Sequence, residues 1–286
     1  MTDRIGIFGL GLIGIALARR LMRAGRQVIG HDPDPERGAL LAGLGGVSAE
    51  PDAVWRQELV FSCVFDTDQL AGLIDAAPAG SGGRLVSLST CDPARMPDLG
   101  RAAAARGWRL IEAPISGTSL QLADGEAVFL LGCERAEAEA LAPLLQAITR
   151  GWHHVGPLGA GNRAKLAVNL VLGLNRAALA EGLVFAERLG LDPAAFLTLL
   201  QDTAAASAVM ATKGPKMVAR DFEPQGRIAQ SAKDFGLILQ AAAAVGQGLP
   251  LARTYAGLMR DCVEHGEIGL DNSAVIRAVL RAQAEG

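Results

Sequence analysis

The stretch "RIGIFGLGLIGIALARRLMRAG", residues 4–25, decides the fold of the first part of the chain. Its apolar run from Ile5 to Phe8 predicts a buried strand, and the apolar residues after the glycines recur at helical spacing. Gly9, Gly11 and Gly14 lie between the two elements. In a strand, turn and helix of this kind, the first glycine permits the turn, the second lets the backbone approach a pyrophosphate, and the third lets the helix pack on the strand. The segment therefore predicts a phosphate cradle at a helix N-terminus.

A second apolar run, "QVIGHD" at residues 27–32, ends in Asp32. A carboxylate about twenty residues after the glycines can accept the ribose 2′-OH of NAD and would repel the 2′-phosphate of NADP. NAD is therefore the predicted cofactor, with NADP disfavoured. The alternatives are a plain structural turn at the glycines and a capping role for Asp32 before Pro33. The cofactor residues predicted in this segment are Gly9, Leu10, Gly11, Leu12, Ile13, Gly14 and Asp32.

Further strand-like runs alternate with Ala-rich helical stretches as far as residue 156. They read "LVFSCVF" (59–65), "RLVSLST" (84–90), "RLIEAPIS" (109–116) and "AVFLLG" (127–132). Such alternation predicts a mostly parallel sheet covered by helices. Ligands of these sheets lie beyond the carboxyl ends of the strands, so the residues expected to line the cofactor crevice are Val64, Phe65, Ser89 and Thr90. Thr90 is equally well explained by a turn before Asp92.

From Asn162 onward helical periodicity dominates and strand signals are nearly absent. The Gly-rich "GPLGAG", residues 156–161, is the expected joint between two domains. The sequence thus predicts an α/β class: a Rossmann dinucleotide-binding domain over residues 1–161, followed by an all-α domain for substrate binding and oligomerisation over residues 162–286.

Lys165 and Asn169 are four residues apart in an otherwise apolar helical stretch, so their side chains share one face. A lysine beside a nicotinamide could take the proton of a substrate hydroxyl as hydride leaves the carbon, and Asn169 could orient the substrate oxygen. The alternative is that Lys165 extends to solvent while Asn169 satisfies backbone groups.

Composition excludes several function classes. Half of the 286 residues are apolar and the net charge is −3, which gives no basic surface for nucleic acid. The cysteines at 63, 91, 133 and 262 show no metal-binding or disulfide spacing, and the histidines, including the adjacent His153 and His154, make no metal pair. No export signal is recognised, and no apolar run is expected to reach membrane-spanning length. A cytoplasmic protein with no metal, nucleic-acid or membrane partner is therefore expected.

Four motifs together resemble the β-hydroxyacid dehydrogenases, which include 3-hydroxyisobutyrate dehydrogenase, tartronate semialdehyde reductase and L-threonate dehydrogenase. They are "GLGLIG" (9–14), "EAPISGT" (112–118), "GAGNRAKLAVN" (159–169) and "AKDFG" (232–236), and the resemblance extends over essentially the whole chain. It implies a nicotinamide-dependent dehydrogenase acting on a small carboxylate, a 3-hydroxy acid or its semialdehyde. The family's dimers and tetramers imply a homo-oligomer formed through the helical domain.

The resemblance also implies residue roles. Lys165 would be the catalytic acid/base with Asn169 as its helper, and the turn Ser116, Gly117 and Thr118 would bind the substrate carboxylate. Successive N–H groups in a turn suit an anion. Lys233 would lie near the nicotinamide, Asp234 would help hold the helical domain against the cofactor, and Thr90 would touch the cofactor. Without the family, Lys233 and Asp234 are simply a solvated charge pair.

The chain departs from the family at several positions. Thr118 stands where a second glycine is common, and the chain reads Val168-Asn169 where an Asn-Asn pair is common. Gly226 stands where an aromatic residue is expected, and Arg227 adds a charge. We hypothesise that Arg227 meets a second anionic group on the substrate, since arginine binds carboxylates bidentately.

Two other classes share this architecture. Imine reductases resemble the family but usually lack the lysine that stands at 165. A dinucleotide-binding module without catalysis is the second alternative, and it is disfavoured by the presence of Lys165, Asn169 and the Ser116 turn together.

Overall fold

The structure, a computed structural model, describes residues 3–80 and 82–282. The chain divides into two compact units, one reaching to Lys165 and the other beginning at Leu166. This division falls four residues after the boundary predicted from the Gly-rich joint. The first unit is an α/β unit with a parallel sheet and the second is helical, which confirms the predicted fold class.

The sheet of the first unit has nine strands. They are β1 (Arg4–Phe8), β2 (Gln27–His31), β3 (Val47–Ser48), β4 (Leu59–Ser62), β5 (Gly83–Ser87), β6 (Trp108–Glu112), β7 (Ile115–Ser116), β8 (Val128–Gly132) and β9 (Gly151–Gly156). The order β3-β2-β1-β4-β5-β6 is all parallel and is that of a Rossmann fold. Strand β8 runs antiparallel to β6 and β7, and β9 pairs in parallel with β8.

Alternate residues of the central strands enter two separate hydrophobic cores. On β4, Phe61 faces one core while Val60 faces the other, and Val86 and Leu85 on β5 divide in the same way. This period of two on a strand buried on both faces explains why the strands read as continuous apolar runs. The helices of this unit are α1 (Leu12–Arg23), α2 (Pro35–Gly43), α3 (Pro51–Trp55), α4 (Thr67–Asp75), α5 (Met96–Ala105), α6 (Ser119–Asp124) and α7 (Arg135–Ile148).

Helix α8 (Ala160–Arg188) begins in the first unit and continues into the second. The helical unit adds α9 (Pro193–Gln201), α10 (Ala208–Ala219), α11 (Ile228–Ala244), α12 (Pro250–Glu264) and α13 (Val275–Ala282). One hydrophobic core joins these helices, with Phe235 of α11 against Tyr255 of α12 at a ring-centroid distance of 4.4 Å.

The expectation that no apolar run reaches membrane-spanning length is wrong for α8. At 29 residues this helix is long and apolar enough to cross a membrane by length and composition. A third of its most apolar stretch is buried inside the protein. A core helix of a soluble protein meets the same criteria, so this single helix is weak evidence for a membrane span.

Candidate active site

The glycine turn at the carboxyl end of β1 has the geometry expected of a phosphate cradle. Gly9 has a φ of +84°, which favours glycine, and its N–H donates to the His31 carbonyl at 2.9 Å. A Cβ on Gly14 would collide with the Gly9 carbonyl oxygen, so only glycine lets α1 approach the turn. A Cβ on Gly11 would meet only the end of the Arg37 side chain, at 3.6 Å. This leaves space for a ligand beside the backbone.

The N-terminus of α1 suits the pyrophosphate of a nicotinamide dinucleotide. Gly11 is the N-cap residue, no side chain caps the helix, and its first turn carries no acidic residue. The backbone donors of this turn, which include Ile13 and Gly14, therefore meet no competing carboxylate of their own turn. The N–H of Leu10 is different, because it donates to Asp32 Oδ2 at 2.7 Å. The Leu10 N–H thus binds the Asp32 carboxylate rather than a phosphate.

Asp32 follows β2 directly and lies beside the glycine turn. Its side chain is only 6% exposed, and its Oδ1 accepts the N–H of Asp34 at 3.0 Å. Arg37, which the sequence reasoning missed, places Nη1 3.4 Å from Asp32 Oδ2 and Nε 3.3 Å from Asp34. Arg37 lies in the first turn of α2, five residues after Asp32, and this spacing could have indicated it. Two carboxylates therefore compensate this guanidinium.

The carboxyl ends of β4 and β5 lie beside that of β1 in the sheet. Backbone bonds continue beyond the strands, from Cys63 N–H to the Phe8 carbonyl at 2.8 Å and from Leu88 N–H to the Ser62 carbonyl at 2.9 Å. Ser89 Oγ donates to the Val64 carbonyl at 2.6 Å. Val64, Phe65 and Thr90 follow these strand ends. The sheet topology thus brings together the residues predicted to line the crevice.

The turn of Ser116, Gly117 and Thr118 connects β7 to α6. Gly117 has a φ of +148°. Thr118 is the N-cap of α6: its N–H donates to Gln121 Oε1 at 2.8 Å, and its hydroxyl accepts the Gln121 N–H at 3.2 Å. This reciprocal capping box occupies the Thr118 N–H, one of the groups that the sequence assigned to the substrate carboxylate, whereas the hydroxyl only accepts there and keeps its own hydrogen to donate.

Lys165 and Asn169 both lie on α8, one turn apart, and the Lys165 side chain is buried. Asn169 Nδ2 donates to Asp234 Oδ2 at 2.7 Å. Lys233 Nζ lies 3.2 Å from Asp234 Oδ1. Among the described residues, Asn169 Oδ1 is buried and accepts no hydrogen bond. The bond to Asp234 therefore fixes which end of the amide is the nitrogen, and Oδ1 is an acceptor that remains without a partner in the part of the chain that the structure describes.

Sequence reasoning also missed a buried charge cluster in the helical unit. Lys213 Nζ lies 2.9 Å from both carboxylate oxygens of Asp271, and neither side chain is more than 5% exposed. Asp271 also accepts the N–H groups of Gln225 and Gly226, which anchors the backbone just before the exposed Arg227. No sequence pattern marks the pair, because its members are 58 residues apart.

The four cysteines are free thiols. Burial raises the pKa of Cys63 and of Cys262 to about 12, and that of Cys133 to about 11. These thiols are protonated at neutral pH and are poor nucleophiles. Within residues 3–80 and 82–282, no group of three or more His, Cys, Asp or Glu side chains is placed to hold a metal ion.

One cavity of about 540 Å³ lies at the opposite, amino edge of the sheet. Arg26, Glu58 and Arg84 line it together with apolar side chains of β1, β4 and α7. Ligands of parallel sheets bind at the carboxyl edge, so we do not include this cavity in the candidate site.

The strand order, the glycine turn at an uncapped helix and the buried acid after β2 define the first unit as a dinucleotide-binding Rossmann domain, which is followed by a helical unit. Residues 4–156 match the model of the NAD binding domain of 6-phosphogluconate dehydrogenase. Residues 159–279 match that of the NAD-binding region of NADP-dependent 3-hydroxyisobutyrate dehydrogenase.

Individual proteins agree with these matches. The chain is 31% identical to the 2-hydroxy-3-oxopropionate reductase of Escherichia coli (96% of this chain, 97% of that one). It is 32% identical to the L-threonate dehydrogenase of Cupriavidus necator (97% and 96%). The crystal structure of a 3-hydroxyisobutyrate dehydrogenase from Salmonella typhimurium superposes with a TM-score of 0.86 at 26% identity (96% and 99%). The chain belongs to the β-hydroxyacid dehydrogenase family, which confirms the resemblance.

Proposed function

We propose that this protein is an NAD-dependent dehydrogenase that interconverts a small 3-hydroxy acid and its semialdehyde, with Lys165 as the general acid/base. One observation carries the proposal: Lys165 and Asn169 lie one turn apart on α8, and Asp234 holds the Asn169 amide in one orientation. The named activities of the relatives, a 2-hydroxy-3-oxopropionate reductase and an L-threonate dehydrogenase, agree with a small hydroxy acid as substrate.

In this proposal, residues of α8 transfer the proton of the substrate hydroxyl. A bound nicotinamide supplies the hydride acceptor. Lys165 in its neutral form takes the proton of the substrate hydroxyl and returns it in the reverse direction. Asn169 spends one Nδ2 hydrogen on Asp234, which leaves the second hydrogen to donate to the substrate oxygen and so to orient it. Asp234 fixes the amide, and we assign Lys233 to the nicotinamide end of the cofactor.

The substrate carboxylate is assigned to the turn after β7. Since the N–H of Thr118 is engaged in the cap of α6, we assign the contact to the Ser116 hydroxyl, the Gly117 N–H and the Thr118 hydroxyl, whose hydrogen the cap leaves free. Arg227, whose backbone is anchored beside Asp271, is the proposed partner of a second anionic group. An unchanged KM in Arg227→Ala would remove that role.

Asp32 supports NAD as the preferred cofactor. Its carboxylate is held by two backbone N–H groups, next to the cradle where an adenosine ribose would lie. Arg37 is the nearby cation that could receive a 2′-phosphate, but Asp32 and Asp34 already neutralise it. A 2′-phosphate would thus meet two carboxylates and one shared guanidinium.

A homo-oligomer in the cytoplasm, binding neither nucleic acid nor membrane, completes the proposal. Residues 168, 171, 178 and 185 of α8, together with residue 189 just after its end, recur at intervals of three, seven, seven and four and form an exposed apolar stripe. Val171 is 59% exposed, Phe185 64% and Leu189 63%. A second copy of the chain packing on this stripe would bury the surface that also makes α8 apolar enough to resemble a membrane span.

The proposal is tested by nicotinamide absorbance with NAD and NADP, against small 3-hydroxy acids and their semialdehydes. Lys165→Ala should lower kcat by about 10²–10⁴-fold, the range of general acid–base catalysis. Arg163→Ala removes an exposed cation from the same turn region of α8 and serves as the control. Turnover that survives in Lys165→Ala, or its absence in wild type with NAD bound, would reject the proposal.

A further inference from the structure

The carboxylate of Glu112, at the carboxyl end of β6, is completely buried and surrounded by donors. Its Oε2 accepts the N–H groups of Gly159 and Gly161, the second at 3.2 Å. Its Oε1 accepts the backbone N–H of Asn162 at 3.1 Å and the Asn162 side-chain Nδ2 at 2.6 Å. Burial raises the pKa of Glu112, and these four bonds oppose that rise. Since every neighbour donates, the charged carboxylate is the form that this environment fits.

These donors belong to the start of α8. The first four N–H groups of a helix have no partner within it, and those of Gly161 and Asn162 are satisfied here by a side chain from the sheet. A negative charge at this position also suits the helix dipole. Glu112 therefore caps the helix that carries Lys165 and Asn169, although it lies nearly 50 residues before it.

The contact between the sheet and this first turn is too close to allow much adjustment. A Cβ on Gly161 would lie 2.9 Å from the Glu112 Cβ and 3.0 Å from the Gly132 nitrogen. A Cβ on Gly132 would collide with the Glu112 carboxylate. Glycine at both positions lets the helix backbone lie directly against β8, so the cap has one geometry.

Asn162 extends the network to the cofactor side of the sheet. Its side chain is fully buried, and its Oδ1 accepts the N–H of Cys91 at 2.8 Å. Cys91 follows Thr90, which is predicted to contact the cofactor. One amide thus connects the loop after β5 to the carboxylate on β6 and to the first turn of α8.

We propose that Glu112 is a positioning residue, which acts with Asn162 to set the place of Lys165 by capping the first turn of α8. Lys165 follows Asn162 by three residues, within one helical turn, so loss of the cap would displace the amine. The inference rests on the proposed role of Lys165 as acid/base.

The test is Glu112→Gln, which removes the negative charge of the side chain and keeps its shape. The new amide nitrogen would face N–H donors, so the first turn of α8 would be held less firmly. We expect kcat to fall by about 100-fold, the effect of a displacement near 1 Å, while the Kd for NAD stays within about threefold. Asn162→Ala, which removes one bond to the carboxylate, should lower kcat by about tenfold and serves if Glu112→Gln does not fold.

A matched control is Glu137→Gln. Glu137 is a partly buried carboxylate that is likewise held by hydrogen bonds, from Arg84 at 2.5 Å and Arg109 at 2.9 Å, but these arginines lie toward the amino ends of β5 and β6. A general loss of stability would lower the activity of both glutamate variants, whereas positioning predicts a loss only in Glu112→Gln. Equal kcat losses, or a wild-type kcat in Glu112→Gln, would overturn the proposal.

A second readout does not depend on activity. The chain has four lysines, so acetylation of each by acetic anhydride is resolved by mass spectrometry. In Glu112→Gln, Lys165 should react at least about threefold faster relative to Lys216 of α10, because a frayed turn exposes it. If the wild-type protein has no turnover, or if Lys165→Ala retains turnover, the proposed function fails. The acetylation rate of Lys165 then tests the positioning role of Glu112 by itself. An unchanged rate then overturns the positioning role.

Discussion

Asn169 Nδ2 donates to Asp234 Oδ2 at 2.7 Å, and this bond fixes an amide that would otherwise be free to turn over. An ionised carboxylate only accepts hydrogen bonds, so the amide must present its nitrogen to Asp234 and its oxygen to the other side. The orientation of a catalytic helper on α8 is thus set by a side chain of α11, 65 residues later in the chain.

Asp234→Asn should lower kcat by about 10–100-fold, the value of a hydrogen bond to a charged group. An asparagine at 234 both donates and accepts, so Asn169 would no longer be held in one orientation. Steady-state kinetics measures the effect, and Asp221→Asn, an exposed carboxylate of the same unit, should keep the wild-type kcat. Wild-type turnover in Asp234→Asn would show that the bond has no role in orienting the site.

Asp32→Asn should change the cofactor preference. The variant loses the charged acceptor for the ribose 2′-OH and partly frees Arg37, so kcat/KM with NAD should fall about 10–100-fold while that with NADP rises. Asp34→Asn, whose carboxylate caps α2 at the Glu36 N–H, removes the same charge nearby and should leave the preference for NAD in place. Parallel loss with both cofactors would instead indicate damage to the glycine turn.

Lys213→Met should destabilise the protein by about 3–5 kcal/mol, because it leaves the carboxylate of Asp271 buried without its countercharge. Urea unfolding measures this change. Lys216→Met breaks a pair with Asp221, which is 62% exposed, and should cost only about 0–1 kcal/mol. Equal costs for the two variants would mean that burial does not distinguish these ion pairs.

The same pair predicts a pH dependence. Burial alone would raise the pKa of Asp271, but the Lys213 ammonium and the N–H groups of Gln225 and Ser273 outweigh it and hold the pKa below its ordinary value. A depressed folded-state pKa gives stability that is present above the unfolded pKa, near 3.9, and is lost as pH falls through the folded value. Between about pH 5 and pH 3, wild type should therefore lose more unfolding free energy than Asp271→Asn. Parallel curves for the two proteins would contradict this assignment.

Phe185→Glu should dissociate the oligomer, since it places a charge in the middle of the exposed apolar stripe of α8. Sedimentation velocity gives the mass directly. Leu40→Glu changes an equally exposed residue of α2 and should leave the mass unchanged. A wild type that sediments as a monomer would remove the basis of this prediction.

Local sequence was sufficient to predict those features of the site that depend on backbone geometry. Gly9 and Gly14 could be read from the sequence because only glycine fits a left-handed turn or a helix that touches that turn. Asp32 was readable because a fixed βαβ unit places the end of β2 beside the glycines. The roles of Lys165, Asn169 and the Ser116 turn stay predictions, carried by the family motif.

Contacts over long sequence separations could not be read in this way. Glu112 is part of a family motif, yet nothing local shows that its carboxylate caps a helix that begins at residue 160. The capping box of Thr118, by contrast, follows a local pattern, because "TSLQ" has a glutamine three residues after the threonine.

The sequence by itself determined the order of strands and helices, the glycine cradle and the acid after β2, because these depend on residue spacing within single elements or one βαβ unit. Only the tertiary structure decided which buried polar groups meet: Glu112 with the start of α8, Asn169 with Asp234, and Lys213 with Asp271. The physical reason is that a buried charge or amide needs hydrogen-bond partners, and tertiary packing supplies them from distant parts of the chain. Such pairs produce no periodic pattern in the sequence.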